Sequence, residues 1–326
     1  MGKSTKILCI GTLIMDIINS KVNQLPKEGE CIIAESISLK PGGSAYSTSV
    51  NLSRLAPDHT EIYCLGTVGD DHVGHIFGQE LTEEGVISYL FTDGSKSTSC
   101  NIILQEQGKD RRYIFCEGAN TSITKGRIFE VIDFVKPDVI VLGEMPSLGV
   151  VNKEFIEIIR YAKEQYQSMI YIDLLVNAEE SYLWLMGSWD KLDVIHCNQG
   201  EGMTITKEKN LHDICKWFLD QGVTLALVSD GDKGCCYGFN DQVNFIPSFH
   251  AVEVDATGAG DAMTAGTIAK LTEACKSHNL QIWELSQELI AEIVRYGCAC
   301  GAIAVSALGC ISDISKDKVN RLLGIN

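Results

Sequence analysis

Asp138-Val139-Ile140-Val141-Leu142 opens the series that decides the fold, followed by Met169-Ile170-Tyr171-Ile172, Asp193-Val194-Ile195-His196 and Thr224-Leu225-Ala226-Leu227-Val228-Ser229. Each is a short apolar run of strand length, rich in β-branched residues. Between them lie amphipathic stretches near 152–166 and 210–220, with apolar residues at helical spacing. Apolar strands alternating with helices predict a mostly parallel, Rossmann-like sheet with helices on both faces, an α/β fold.

Towards the N-terminus, Ile7 to Ile10 reads as a buried strand closed by Gly11. Residues 14–40 alternate loosely between apolar and polar around a Pro26/Gly29 break, which predicts two exposed strands joined by a turn. Pro41-Gly42-Gly43 punctuates the chain before a helix of small residues, Ser44 to Leu55, and Ile62 to Val68 is a further strand. Residues 98–117 resemble a second hairpin, with Gln107-Gly108-Lys109-Asp110 as its turn. The last 70 residues read as mainly helical, including a run from Gln287 to Leu308. The economical reading of 1–326 is one α/β domain with a small β appendage built from about 12–40 and 98–118.

Composition narrows the function. Of 326 residues, 45% are hydrophobic and 21% charged, which describes a globular chain with a sizeable core. A formal net charge of −16 repels a polyphosphate backbone, so nucleic acid is not an expected partner. Thirteen cysteines include no C-x-x-C; Cys235 and Cys236 are adjacent, and Cys298 and Cys300 are two apart. They read as reduced thiols acting as small hydrophobes in a reducing compartment, the cytoplasm. Lys3 and Lys6 before Ile7 to Met15 imitate a signal peptide, but Asp16 ends the run and no small-residue cleavage site follows. Gly2-Lys3-Ser4 imitates the end of a P-loop without its earlier glycine. No apolar run approaches the ~20 residues of a membrane span, and no membrane partner is expected.

The chemistry concentrates in Val252-Glu253-Val254-Asp255-Ala256-Thr257-Gly258-Ala259-Gly260-Asp261-Ala262-Met263. The pattern predicts a short strand, a turn with two glycines, and a helix of small residues from Ala262 to Leu271. A helix N-terminus carries unpaired N–H groups and the positive end of the dipole, so this junction can hold an anion. Gly258 and Gly260 let backbone approach a phosphate, and Asp261 is placed to accept a proton from an attacking hydroxyl. The plainer reading, that Asp261 only favours the helix start, stays open on this segment alone. A dinucleotide fingerprint is set aside, because the third glycine and the later acidic residue are missing.

These residues resemble the ribokinase-like carbohydrate kinases, the PfkB family. Asp255-Ala256-Thr257-Gly258-Ala259-Gly260-Asp261 is similar to the family's Asp-Thr-x-Gly-Ala-Gly-Asp with one substitution, and Gly42-Gly43-Ser44-Ala45-Tyr46-Ser47 with Arg54-Leu55 resembles its N-terminal signature. The resemblance covers about residues 7–322. It implies a ribokinase-like fold with a β-sheet lid and ATP-dependent phosphorylation of a sugar hydroxyl. Asp261 is then the base, with Gly258, Ala259 and Gly260 in the anion hole. It assigns Asp16, Gly42, Gly43, Ser47 and Glu144 to the substrate, and Asn198, Ser229, Gly231 and Gly234 to ATP. Glu201 would meet Mg2+ through water, and Asp255, Thr257, Ala304, Ala307 and Gly309 would surround a potassium ion. Lid edges are also expected to pair two chains into a homodimer.

Three departures bear on the substrate. Ser47 stands where the family has a sugar-binding asparagine, and Gln199 stands where it usually has glutamate. Asp173-Leu174-Leu175-Val176-Asn177 lacks the Asp-x-Asn-x-Arg of several sugar-acid and fructose-type members. Arg111 and Arg112, in the lid turn, read as solvated. A neutral ribose-like or fructose-like sugar is therefore expected, with a nucleoside or sugar-acid kinase as the alternative. A non-catalytic sugar- or nucleotide-binding regulator is the rival from another class.

Overall fold

The computed structural model describes residues 4–109, 111–175, 182, 185–307, 309–311 and 313–325. Gly2, Lys3, Asp110, Val176, Asn177 and Leu308, which figure in the readings above, lie outside the described residues.

Among the described residues, nine strands form the large sheet. β1 (Thr5–Ile10) pairs in parallel with β4 (Thr60–Gly69) on one side and β8 (Val139–Gly143) on the other. Beyond β4 lies β5 (Ile87–Asp93). Beyond β8 follow β9 (Met169–Asp173), β10 (Val194–Asn198) and β11 (Leu225–Ser229), all parallel. An antiparallel hairpin, β12 (Gly234–Phe239) and β13 (Gln242–Pro247), closes that edge. The four strands read from the sequence as the core of a parallel sheet are there. β5 and the β12–β13 hairpin were not anticipated: β12 reads Gly-Cys-Cys-Tyr-Gly-Phe, whose glycines and thiols carry little strand signal.

Alternating side chains explain why both faces are covered. Ile7, Cys9, Val139, Val141 and Tyr171 pack into one core, with the helices α1 (Ser44–Leu55), α7 (Ala259–His278) and α8 (Gln287–Ala304). Leu8, Ile10, Ile140, Leu142, Ile170 and Ile172 enter the other, with α3 (Lys125–Val135), α4 (Phe155–Tyr166) and α6 (Leu211–Asp220). Among the described residues, the remaining α-helices are α2 (His72–Glu83), α5 (Gln199–Thr206) and α9 (Lys316–Leu323). Small residues let α7 and α8 approach closely: a Cβ on Gly266 would lie 2.4 Å from Cys300 Sγ. No described helix is long and apolar enough to cross a membrane.

A separate four-stranded sheet runs β3-β2-β6-β7, from β2 (Ile14–Asn19), β3 (Ile37–Gly42), β6 (Cys100–Leu104) and β7 (Arg112–Cys116). It is the appendage expected from 12–40 and 98–118, with one correction: β2 and β3 are joined by a long loop rather than a turn. One face carries the row Lys40, Asp16, Asn101, Phe115, and the other carries Leu39, Ile17, Ile102, Ile114.

Three further boundaries move. Residues 252–254 form no strand; the Val254 and Asp255 amides both donate to the Val305 carbonyl, and Val252 and Val254 are exposed. Helix α7 starts at Ala259 rather than Ala262, because Gly258 at φ 80° turns the chain one residue ahead of it. Helix α8 stops at Ala304 instead of reaching Leu308: the Ser306 and Ala307 amides donate to the carbonyls three residues back, Ile303 and Ala304, in place of the i−4 bonds that would continue it.

Candidate active site

Strand order reverses at β1 and β8, and in such sheets the crevice at the carboxyl ends of the strands is where ligands bind. Thr12 follows β1, Glu144 follows β8, and Asp173, Asn198 and Ser229 end β9, β10 and β11. The N-terminus of α7 points at the same crevice, bringing Asp261 to it. Helical geometry leaves the Gly260 and Asp261 amides without a carbonyl behind them. The Ala259 amide is less open, donating to the Ala256 carbonyl at 3.3 Å. Gly258 is required by its own surroundings: its φ is 80°, and a Cβ there would lie 2.4 Å from the Cys310 carbonyl oxygen. Gly260 differs, since a Cβ there would meet only His196 Cε1, at 3.6 Å.

Asp261 is partly buried in the first turn of α7, where Thr48 Oγ1 of α1 donates to its Oδ1 at 3.3 Å. Burial pushes its carboxyl well above the ordinary range, and the charges of Asp173 and Glu144 push the same way. A carboxylate so raised has a high affinity for a proton, the property a general base needs.

The small sheet brings Asp16 over the crevice. Asp16 accepts from Asn101 Nδ2 at 3.2 Å and from Cys310 Sγ at 3.5 Å, and burial pushes its carboxyl up to about 6 against these two bonds. Gly42 lies beneath it, where a Cβ would stand 3.4 Å from Asp16 Oδ2 and 2.8 Å from Cys310 Sγ. Gly43 has φ 87°, and a Cβ there would strike the Thr12 carbonyl at 2.6 Å, so the chain itself needs this glycine. Ser47 is not brought to the crevice surface: it is 0% exposed, and among the described residues its Oγ has no hydrogen-bond partner. Glu144 is engaged locally, accepting from Thr12 Oγ1 and from the Ser44 amide at the start of α1. Burial still raises its carboxyl despite these bonds.

The residues expected at the nucleotide gather at the ends of β10 and β11, where Asn198 stands beside Ser229 in register. Asn198 and Glu201 form a capping box on α5: the Asn198 side chain accepts from the Glu201 amide at 2.9 Å, and Glu201 accepts from the Asn198 amide at 2.8 Å. Gly231 is open, whereas Gly234 at φ 132° is dictated by packing, a Cβ there falling 2.1 Å from the Ile246 carbonyl. Beneath them runs a chain the sequence reading missed. His196 Nδ1 lies 2.9 Å from Asp173 Oδ1 and its Nε2 3.2 Å from Ser229 Oγ, while Thr264 Oγ1 donates to Asp173 Oδ2 at 2.8 Å. Burial works against charge on His196, yet Asp173 lifts its pKa above the ordinary value. In the sequence His196 is one polar residue in an apolar strand, and only the register with Asp173 shows its partner.

The loop ahead of α7 shows the largest correction. Arg111 is not solvated: its Nη1 donates to Asp255 Oδ1 at 2.6 Å and to Thr257 Oγ1 at 2.8 Å. Arg112 is paired as well, with Glu106 at 2.5 Å. The same Asp255 Oδ1 accepts from the Thr257 amide and hydroxyl, and Oδ2 accepts from the Gly309 amide at 3.0 Å. Burial would raise the Asp255 carboxyl, but these bonds and the Arg111 charge bring it below the ordinary range. Gly309 is thus brought beside Asp255, and the turn after Ala304, whose carbonyl accepts from Ala307, lies with it. With Arg111 on Asp255, a potassium ion ligated by that carboxylate oxygen does not fit unless it displaces the guanidinium.

The pattern of the pfkB family carbohydrate kinases matches residues 4–317. A Lactococcus lactis ribokinase is 26% identical over 272 residues, covering 82% of this chain and 84% of its own length. A probable chloroplastic fructokinase-6 of Arabidopsis thaliana is 23% identical, covering 98% of this chain and 83% of its own. Among solved structures, the Giardia lamblia ribokinase superposes with a TM-score of 0.83 at 18% identity, covering 98% of this chain and 99% of that one. A putative ribokinase II from E. coli, in complex with ATP and Mg2+, superposes with a TM-score of 0.79 at 20% identity, with the same coverages of 98% and 99%. The large, mostly parallel sheet with its separate small sheet agrees with these ribokinase structures, and with a family match over nearly the whole length the chain belongs to the pfkB family of carbohydrate kinases.

Proposed function

We propose that the protein transfers the γ-phosphoryl group of ATP to a hydroxyl of a neutral pentose or hexose, ribose-like or fructose-like, with Asp261 as the general base. The observation that carries this reading is Asp261 in the first turn of α7, raised in proton affinity and flanked by the open Gly260 amide, in a crevice that Asp16 covers. Asp16 accepts hydrogen bonds from sugar hydroxyls, and the attacking hydroxyl gives its proton to Asp261 as its oxygen bonds to phosphorus. The start of α7 faces the charge on the transferring group. ATP lies along the ends of β10 and β11, against Asn198, Ser229 and Gly231. Glu201 stands beside them, and a water-mediated contact from a carboxylate suits an ion that keeps most of its waters and arrives on the phosphates. Magnesium there would neutralise phosphate charge. The ATP and Mg2+ of the E. coli neighbour support this assignment, and the ribokinase and fructokinase relatives support the sugar class.

Further features accord with the reading. All thirteen cysteines are free, which suits a cytoplasmic enzyme. Leu39, Ile102 and Ile114 are 54%, 38% and 59% exposed on the outer face of the lid, a surface suited to a second copy of this chain. A silent binding protein has no need of a base at the helix start. The test is a coupled ADP-release screen over pentoses, hexoses, sugar acids and nucleosides. ADP release with ribose or fructose is expected; turnover confined to nucleosides or sugar acids overturns the substrate class, and no turnover with any overturns the kinase reading.

A further inference from the structure

We infer that Arg111 is a positioning residue: carried by the lid, it clamps the Asp255–Thr257 segment that aims the start of α7, and it supplies there the positive charge a monovalent cation would otherwise supply. The inference rests on the phosphotransfer reading above for what α7 does, and on the Arg111 geometry for the rest.

Arg111 lies on the connection between β6 and β7, and its Nη1 reaches Asp255 and Thr257 at 2.6 and 2.8 Å. The Asp255 side chain is 3% exposed, so its charge is poorly screened and needs a partner. Its other donors, the Thr257 amide and hydroxyl and the Gly309 amide, are neutral. Among the described residues, Arg111 is the cation paired with Asp255.

The clamped segment leads directly into the anion hole. Thr257 precedes Gly258, whose left-handed φ of 80° sets the direction of the Gly260 and Asp261 amides. The Ala256 carbonyl accepts from Ala259, so a shift of Asp255 or Thr257 passes into the first turn of α7. At its other end Arg111 is attached to the sheet that holds Asp16 and Asn101, which pair across β2 and β6. One side chain thus joins the sheet that grips the sugar to the loop that receives the phosphoryl group. Oδ1 of Asp255 already takes three donor contacts, so a potassium ion and the guanidinium are alternatives at that oxygen.

The test uses the full chain as wild type, Arg111→Met and Arg111→Lys, in potassium, sodium or tetramethylammonium chloride at equal ionic strength. Two readouts are taken: ADP release with the best sugar of the screen, and the thermal unfolding midpoint without ligands. Wild type is expected to show the same kcat and midpoint in potassium and tetramethylammonium salts. Arg111→Met is expected to lose on the order of 10- to 100-fold in kcat in tetramethylammonium chloride, with the sugar KM changed by less. Potassium then restores part of its kcat and raises its midpoint, while Arg111→Lys keeps most of the wild-type rate. A wild type activated severalfold by potassium, or an Arg111→Met enzyme as fast as wild type in tetramethylammonium chloride, overturns the inference. The unfolding readout needs no turnover: if no sugar is phosphorylated, the kinase reading fails, and a potassium-specific midpoint shift in Arg111→Met but not in wild type still decides the cation role.

Discussion

Asp16 is 5% exposed, and its carboxyl is held at about 6 instead of its ordinary 3.8. Burial is the main cause, opposed by bonds from Asn101 and Cys310 and assisted by the charges of Glu144 and Asp255. A carboxyl raised on folding favours the neutral form, so its contribution to stability is intact below pH 3.8 and is lost as pH climbs through about 6. At 1.36 kcal/mol per pH unit, ionised Asp16 costs the folded protein about 3 kcal/mol at pH 7.5 and about 1 kcal/mol at pH 4.5. Asp16→Asn keeps the shape and removes the charge, so it should stabilise the free protein by up to about 3 kcal/mol at pH 7.5, a gain that shrinks at pH 4.5. The same change removes a charge-assisted acceptor worth roughly 1.5–3 kcal/mol, so kcat/KM for the sugar should fall on the order of 10- to 150-fold. ATP affinity measured without sugar should be unchanged, because Asn198, Ser229 and Gly231 lie elsewhere in the crevice. Urea unfolding at both pH values and initial-rate kinetics measure the two effects. A variant destabilised at pH 7.5, or stabilised equally at both, refutes the burial argument. One that keeps wild-type kcat/KM refutes the substrate role.

Asp261→Asn should lower kcat by about 10²–10⁴ with ATP affinity kept, and half the wild-type kcat would remove Asp261 from the base role. Gly260→Val has room in the fold, with only His196 Cε1 near its Cβ at 3.6 Å, yet it fills the space before the anion hole; kcat should collapse while circular dichroism stays native, and an active variant sinks the assignment. His196→Gln breaks the link from Asp173 to Ser229 and should cost on the order of 10-fold in kcat or in ATP KM, with the sugar KM kept. Kinetics identical to wild type would make His196 a satisfied core histidine and nothing more.

Legibility in the sequence followed how local the physics was. The parallel strands β8 to β11 announce themselves because residues buried on both faces must be apolar throughout. The helix start at α7 shows because only glycine adopts the φ of Gly258 cheaply. What stayed hidden depends on partners distant in the chain. Arg111 reads as a solvated turn residue until the lid folds 144 positions back onto Asp255. His196 gains its meaning from strand register. Ser47 was placed by motif position at the sugar, and only the fold shows that it is 0% exposed. Residues 252–254 carry a strand's alternation without a neighbouring strand to pair with.

The crevice gathers Asp16, Glu144, Asp173, Asp255 and Asp261 where a negatively charged group must be transferred, which on charge alone is unfavourable. Their partners sort them. Asp255 has Arg111 and Asp173 has His196, while Glu144 accepts from the Ser44 amide and Thr12 at the start of α1. Among the described residues, the side-chain donors to Asp16 and Asp261 are neutral, Asn101, Cys310 and Thr48, and burial raises both carboxyls. A carboxylate left without a cation in a half-buried site is stabilised by whatever brings it a hydrogen bond or a proton. On the proposed reading a sugar offers both: a diol would satisfy Asp16, and the attacking hydroxyl would give Asp261 its proton as the phosphoryl group moves. On that same reading, the two carboxylates that the fold leaves without a cation are the two that the substrate would complete, and binding the sugar would relieve the electrostatic cost of the empty site.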